Sequence, residues 1–337
     1  MDPRTVLVIY TGGTIGNDCV ENGGFAPGND ERFKECLRQR WQYLNIPFVA
    51  NRTDENGPVF LTSWSHTEES VILELRILIY PTLLNSSEMD FAHWMRIAQD
   101  IKKYYTDFQG FVVLLGTDTM AYVASALSFI FENLAKPVVL TGSQIPIFRP
   151  GSDGFNNFKK AVLVAGTLKI PEVTICFNDK LFRGNRARKR NTTSFDAFES
   201  PNFPPLAVFS GNKRLCGAVQ KRLLLEAGIG KELTLCTENN AATADVDVDV
   251  LHIFPGITKN VMEHIPSALI LRSFGVGNVP LIVCQTLDSE LWRGNTLVVN
   301  VSQCEEGGVI PECDVRTELE NIGVVPGGDI TFEAAFT

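Results

Sequence analysis

Histidine is scarce in this chain: four residues, at 66, 93, 252 and 264, among 337. A Ser-His-Asp triad or a histidine-based metal site therefore has little to draw on. The eight cysteines, at 19, 36, 176, 216, 236, 284, 304 and 313, form no CxxC pair and stand at no metal-finger spacing from a histidine. That argues against a zinc module, and scattered reduced thiols in a cytosolic protein are the default. No apolar run approaches the roughly 20 residues of a membrane span. The first apolar stretch, six residues long, is too short for a secretory leader, so the N-x-S/T sequons at Asn51, Asn85, Asn191 and Asn300 carry no weight. A cytoplasmic location is the expectation. Positive charge is in deficit, with 30 Lys and Arg against 39 Asp and Glu, a net charge of −9. Such a surface repels nucleic acid and anionic lipid, and neither is an expected partner.

The composition that remains, 45% hydrophobic and 20% charged, is that of a globular protein. The length allows about two domains with ample cores. Val6 to Tyr10, Phe111 to Leu115, Val138 to Thr141 and Val173 to Phe177 read as buried strands bounded by Gly, Pro or Asn. Between them lie helical patterns. In one, Phe91, Trp94, Ala98 and Ile101 share a face behind a capping box at Ser87 and Asp90. In a second, over 119–134, Ala124, Leu127, Phe131 and Leu134 form a stripe that stops before Lys136-Pro137. Strand–helix–strand order predicts parallel βαβ units in an α/β sheet. Residues 190–246 lack this order, and SPNFPP and ENNAATADVDVD read as linker or surface insertion. Val250 to Phe254, Ala268 to Arg272 and Thr296 to Val301 resume it, so a second α/β lobe follows.

Two strands run into threonine-bearing loops, Tyr10-Thr11-Gly12-Gly13-Thr14-Ile15-Gly16 and Gly116-Thr117-Asp118-Thr119-Met120. In open α/β sheets ligands bind at the carboxyl ends of strands, so both loops can face one site. TGGTIG is neither GxGxxG nor a GK[ST] phosphate loop, which argues against a nucleotide. An isolated GTDT would be read first as a helix cap. Two such loops at corresponding strand ends point to a site instead. A threonine nucleophile needs a proton acceptor, and with no histidine beside either loop a Lys, Tyr or carboxylate must supply it. His93 reads as a surface residue of the amphipathic helix.

The segments YTGGTIG (10–16) and LLGTDTMAYVASALSF (114–129) resemble the two signatures of bacterial-type L-asparaginases, most closely the cytosolic type I branch. The resemblance continues through ENLAKPVVLTGSQIP (132–146), SDG (152–154), FRGNRARK (182–189), SFDAFESPNFPPL (194–206) and LRSFGVGNVP (271–280). It returns weakly at VNVSQC (299–304) and VVPGGDITFEAA (324–335), and omits 45–80 and 211–246. It implies a two-domain asparaginase-like fold, a larger parallel-sheet domain followed by a smaller α/β domain. The implied activity is hydrolysis of L-asparagine to L-aspartate and ammonia, with no metal or organic cofactor, in a homodimer or homotetramer. It implies Thr14 as the nucleophile, and Thr117, Asp118 and Lys189 as the companion threonine, aspartate and lysine. Asn85, Ser86 and Ser87 fall on the segment that holds the substrate's α-carboxylate and α-amino group, together with Thr117 and Asp118. Without the resemblance, Lys189 is one cation of a solvated RARKR run.

Several positions depart from the pattern. NSSEM stands for DSSDM, Leu115 replaces a histidine, and Phe25 and Cys313 occupy the places where tyrosines would help activate the first threonine. Tyr10, close in sequence, reads as strand packing. A non-catalytic amino-acid-binding protein and an amidotransferase-type subunit are the alternative readings. The expected organisation is an N-terminal domain over 1–205, a linker or insertion over 206–246 and a C-terminal domain over 247–337. Relatives continue past Thr337 into further helices, so the second domain is expected to be truncated, with apolar surface exposed and marginal stability.

Overall fold

The computed structural model describes residues 4–19, 25–27, 48–54, 57–65, 70–209, 230–236, 246–289, 296–309 and 314–337, with isolated positions between 32 and 39 and at 228 and 292. The chain forms two compact units, one of residues 1–200 and 204–238, the other of 201–203 and 239–337.

The first unit is organised by a nine-stranded sheet: β1 (Arg4–Gly12), β2 (Phe48–Asp54), β3 (Gly57–Ser65), β4 (Ser70–Leu84), β5 (Gly110–Leu114), β6 (Val138–Thr141), β7 (Val173–Phe177), β8 (Lys180–Arg183) and β9 (Ala207–Val208). Their spatial order is β9-β8-β7-β6-β5-β1-β4-β3-β2. The central strands β4, β1, β5, β6 and β7 are parallel. β1 and β5 are buried along nearly their whole lengths, as runs such as VLVIY and FVVL require when both faces are covered. Both flanks are antiparallel: β8 and β9 on one side, β3 and β2 on the other. The stretch at 45–80, outside the resemblance, thus supplies strands that widen the sheet past β4.

The helices of this unit that are described throughout include α1 (Phe91–Lys103), α2 (Met120–Ile130) and α3 (Gly154–Thr167). α1 buries Ile97, Ala98 and Ile101, with Trp94 half-buried against the same core. Its cap is Asp90, three residues later than the sequence suggested. The Asp90 carboxylate accepts from the His93 N–H at 3.1 Å, and the Asp90 N–H donates to the His93 imidazole at 3.3 Å. Ser87 belongs to the preceding 3-10 turn instead. Asp90→Ala is expected to cost about 1 kcal/mol in urea unfolding at neutral pH. Hydrogen bonding to the His93 N–H holds the Asp90 carboxyl below its ordinary value. The cap therefore stabilises above the unfolded carboxyl range and is lost as pH falls through the lowered value. The difference between the two proteins should vanish in acid.

α2 is shorter than the 119–134 pattern. Nearly every one of its faces is buried, and the chain leaves it as Phe131–Glu132, which pairs antiparallel with Thr234–Leu235. The region read as linker, 206–246, is therefore partly structural in the first unit. Leu206, Ala207, Leu233 and Leu235 are buried there, and 210–227 lies outside the described residues.

The second unit has four parallel strands in chain order, β10 (Val248–His252), β11 (Ala268–Ser273), β12 (Leu297–Ser302) and β13 (Val325–Pro326). Its helices are α4 (Leu281–Leu287), α5 (Asp314–Asn321) and α6 (Phe332–Phe336). Leu269, Leu271, Val283, Leu287, Val298 and Leu319 make its core. The Asn202 amide donates to the Gly307 carbonyl and accepts from the Gly307 N–H, both at 2.8 Å, which ties the 201–203 segment into this unit. Leu281 and Leu297 are exposed on its surface.

Candidate active site

Four parallel strands of the first unit deliver four loops to one edge of the sheet. β1 runs into Thr11-Gly12-Gly13-Thr14, β4 into Asn85-Ser86-Ser87, β5 into Gly116-Thr117-Asp118, and β6 into Gly142-Ser143-Gln144. The loops are in direct backbone contact. The Gly13 N–H donates to the Leu84 carbonyl at 3.1 Å. Gly13 has φ +87°, and a Cβ there would lie 2.5 Å from the Gly116 Cα. A Cβ on Gly116 would in turn lie 2.5 Å from the Ser86 hydroxyl oxygen. These glycines are required because backbones pass where side chains cannot fit. The Thr119 hydroxyl donates to the Ser86 carbonyl at 2.7 Å and staples the second loop to the third.

Thr14 opens a 3-10 turn over Thr14–Gly16 and is half-buried, while the next residue, Ile15, is fully buried. Thr117 is buried, and its hydroxyl accepts from the Lys189 ammonium at 2.8 Å. Lys189 also donates to an Asp118 carboxylate oxygen at 2.6 Å. Its strand, Arg188–Lys189, pairs with Phe198–Glu199 and brings this cation to the end of β5 from 71 residues away. The Lys189 side chain is only 15% exposed and that of Asp118 is 66% exposed. Lys189 is thus a nearly buried partner of the GTDT loop, and reading it as one member of a solvated run is incorrect.

The Asn85–Ser87 segment is less uniform than its sequence suggests. The Asn85 side chain accepts from the Ser87 N–H at 3.3 Å and so caps the 3-10 turn. Ser86 is buried against Gly116, whereas Ser87 is exposed. Leu115 lies in the core. Phe25 sits on a short strand, Phe25–Pro27, that pairs with Asn17–Cys19 immediately after the Thr14 turn. Cys313 lies outside the described residues. Tyr10 is buried and stacks on Phe33 with ring centroids 4.7 Å apart, and its hydroxyl lies over Gly16. Its packing character matches the sequence reading.

Gln144 escaped sequence reasoning as a site residue. Its side-chain oxygen lies 3.4 Å from the Thr117 hydroxyl. The available signal was positional: TGSQ follows the β6 strand as TGGT follows β1. Among the described residues, no group of three His, Cys, Asp or Glu is placed to hold a metal ion. Two cavities, of about 310 and 270 Å³, include none of the four loops in their walls.

The first unit of this two-unit α/β chain thus carries a threonine, aspartate and lysine cluster at the carboxyl ends of its parallel strands. A family model of the N-terminal asparaginase domain matches residues 5–218, and one of the C-terminal glutaminase/asparaginase domain matches 247–337. The chain belongs to the asparaginase family. It is 38% identical over 344 residues to L-asparaginase 1 of Escherichia coli K12, covering all of this chain and 91% of that one. It is 36% identical over 341 residues to L-asparaginase of Dirofilaria immitis, covering 98% of this chain and 55% of that protein. The chain thus spans about half the length of the Dirofilaria relative. The crystal structure of L-asparaginase I from Vibrio cholerae superposes with a TM-score of 0.78 at 35% identity, covering 99% of this chain and 91% of that one.

Proposed function

We propose that this chain hydrolyses L-asparagine to L-aspartate and ammonia through a threonine nucleophile. The observation that carries the reading is the Lys189 ammonium bonded at once to Thr117 and Asp118, on a loop in backbone contact with the one that bears Thr14. In this reading the Thr14 hydroxyl attacks the side-chain amide carbon, ammonia departs with the hydroxyl proton, and a threonyl ester remains. Water then attacks the ester and the Thr14 hydroxyl is restored. Thr117 and Lys189 order the attacking group and the proton it loses, as a histidine would elsewhere. Backbone N–H groups of the glycine-rich loop are suited to the oxyanion that forms. The exposed Asp118 carboxylate keeps capacity to receive the substrate's α-ammonium, and the exposed Ser87, on the loop whose Ser86 carbonyl accepts from Thr119, is assigned to the α-carboxylate. Asn85 and Ser86 contribute to the same subsite by shaping its turn. No metal or organic cofactor takes part.

The reading extends to assembly as a homodimer or homotetramer and to the cytoplasm. Among the described residues no helix is long and apolar enough to cross a membrane. The test is ammonia release by the purified chain from L-asparagine, with L-glutamine in parallel. Steady turnover of L-asparagine is expected. Calorimetric binding of L-asparagine without ammonia release would overturn the reading in favour of an amino-acid-binding protein.

A further inference from the structure

The hydroxyl of Thr117 is placed among more groups than a simple threonine–lysine pair needs. Lys189 donates into one of its lone pairs at 2.8 Å. On another side stands the Gln144 side-chain oxygen, 3.4 Å away. The orientation of that amide follows from its other end. Its nitrogen faces the carbonyls of Ser194 at 3.0 Å and Asn191 at 3.4 Å. Carbonyls only accept, so the NH2 group has to point at them, and the oxygen is left for Thr117. An amide oxygen also only accepts, so Thr117 supplies the proton between them.

The backbone that carries Gln144 is held just as firmly. The N–H groups of Gln144 and Ile145 both donate to the Asp153 carboxylate, at 3.0–3.1 Å. Asp153 also accepts from the Asn157 amide at 3.1 Å, which donates to the Gly142 carbonyl at 3.1 Å. The first turn of α3 therefore locks the loop after β6, and that loop delivers the amide to the end of β5.

We propose that Gln144 is a positioning residue that fixes the direction of the Thr117 hydroxyl proton. With that proton committed to Gln144 and one lone pair to Lys189, Thr117 offers the substrate side a lone pair and no proton. It acts there as a hydrogen-bond acceptor that aligns the hydroxyl of the attacking group, whose proton leaves with ammonia. A hydroxyl free to rotate would present its proton for part of the time and oppose that alignment. The inference rests on the proposed asparaginase activity for its kinetic consequence and on the hydrogen-bond geometry alone for the proton's position.

Gln144→Met keeps the length and removes both polar ends. The expected result is a kcat for L-asparagine about tenfold lower, the scale of one neutral hydrogen bond, with KM within about twofold of wild type. Gln144→Glu gives the discriminating signature. As a carboxylate, residue 144 faces the Ser194 and Asn191 carbonyls with no donor. Protonated, it can donate to one of them and accept from Thr117. The kcat of Gln144→Glu relative to wild type should therefore recover as pH falls through that carboxyl's titration, and Gln144→Met should show no such recovery. An unchanged kcat in Gln144→Met, or a flat Gln144→Glu to wild-type ratio across that range, would overturn the proposal. Neutron diffraction from the deuterium-exchanged wild-type protein locates the Thr117 deuteron without any turnover. A deuteron on the Gln144 side supports the proposal, and one directed at Lys189 refutes it. Absent turnover by wild type would overturn the activity and leave that second measurement decisive.

Discussion

Lys189→Met is expected to lower kcat for L-asparagine by about 10²- to 10⁴-fold, the range that positioned proton-transfer groups supply. Methionine keeps much of the side-chain volume and removes only the ammonium that holds Thr117 and Asp118 together. Stability should barely change. Asp118 is largely exposed and solvated, so its separation from Lys189 forfeits at most the small energy of a surface ion pair. The combination of a large kinetic loss with an unmoved thermal unfolding curve is what distinguishes a catalytic lysine from a structural one. Steady-state ammonia release and calorimetry on the same sample provide the check. A loss below tenfold would remove Lys189 from the proposed mechanism.

Gly13→Ala is expected to cost both stability and activity. At φ +87° and ψ 173°, Gly13 occupies backbone space that L-residues scarcely adopt, a strain of about 1–3 kcal/mol. Its Cβ would also lie 2.5 Å from the Gly116 Cα and 2.6 Å from the Leu115 carbonyl carbon, so the two threonine loops must separate. Displacements of about 1 Å at a catalytic centre cost on the order of 10² in rate. A kcat reduced by at least that factor, with a lowered melting temperature, is the expected result. Gly151→Ala is the control. Gly151 also has positive φ, +76°, but no atom lies within 4 Å of its Cβ position. It should lose stability through strain alone and keep its turnover. Equal kinetic losses in both variants would show that loop contact is not what the glycine protects.

Much of the first unit was legible along the chain because buried parallel strands announce themselves. VLVIY, FVVL, VVLT and VTICF are continuous apolar runs whose neighbours are Gly, Pro or polar residues, and each is a central strand. The stretch over 48–84 was harder. β2 and β3 join the sheet antiparallel beyond β4, and β4 itself shows alternation, with Leu73, Leu75 and Ile77 buried. The cap of α1 was misplaced because Ser87 and Asp90 both suit an N-cap, and only the turn at Ser86–Glu88 decides between them. Likewise the linker reading of 206–246 missed Ala207–Val208 and Thr234–Leu235, two-residue strands too short to carry a periodic signal.

By itself, then, the sequence determined the α/β class, the two lobes and the two threonine loops, all of which rest on local apolar periodicity and on glycines in loops. Tertiary structure decided the rest. It brought Lys189 to Thr117 across 72 positions of sequence and turned a residue of a basic run into a nearly buried cation. It separated the exposed Ser87 from the buried Ser86 next to it, and it added Gln144. The physical reason is range. Periodicity and capping act over a few residues, whereas a hydrogen bond between side chains needs a distance that only the packed sheet sets.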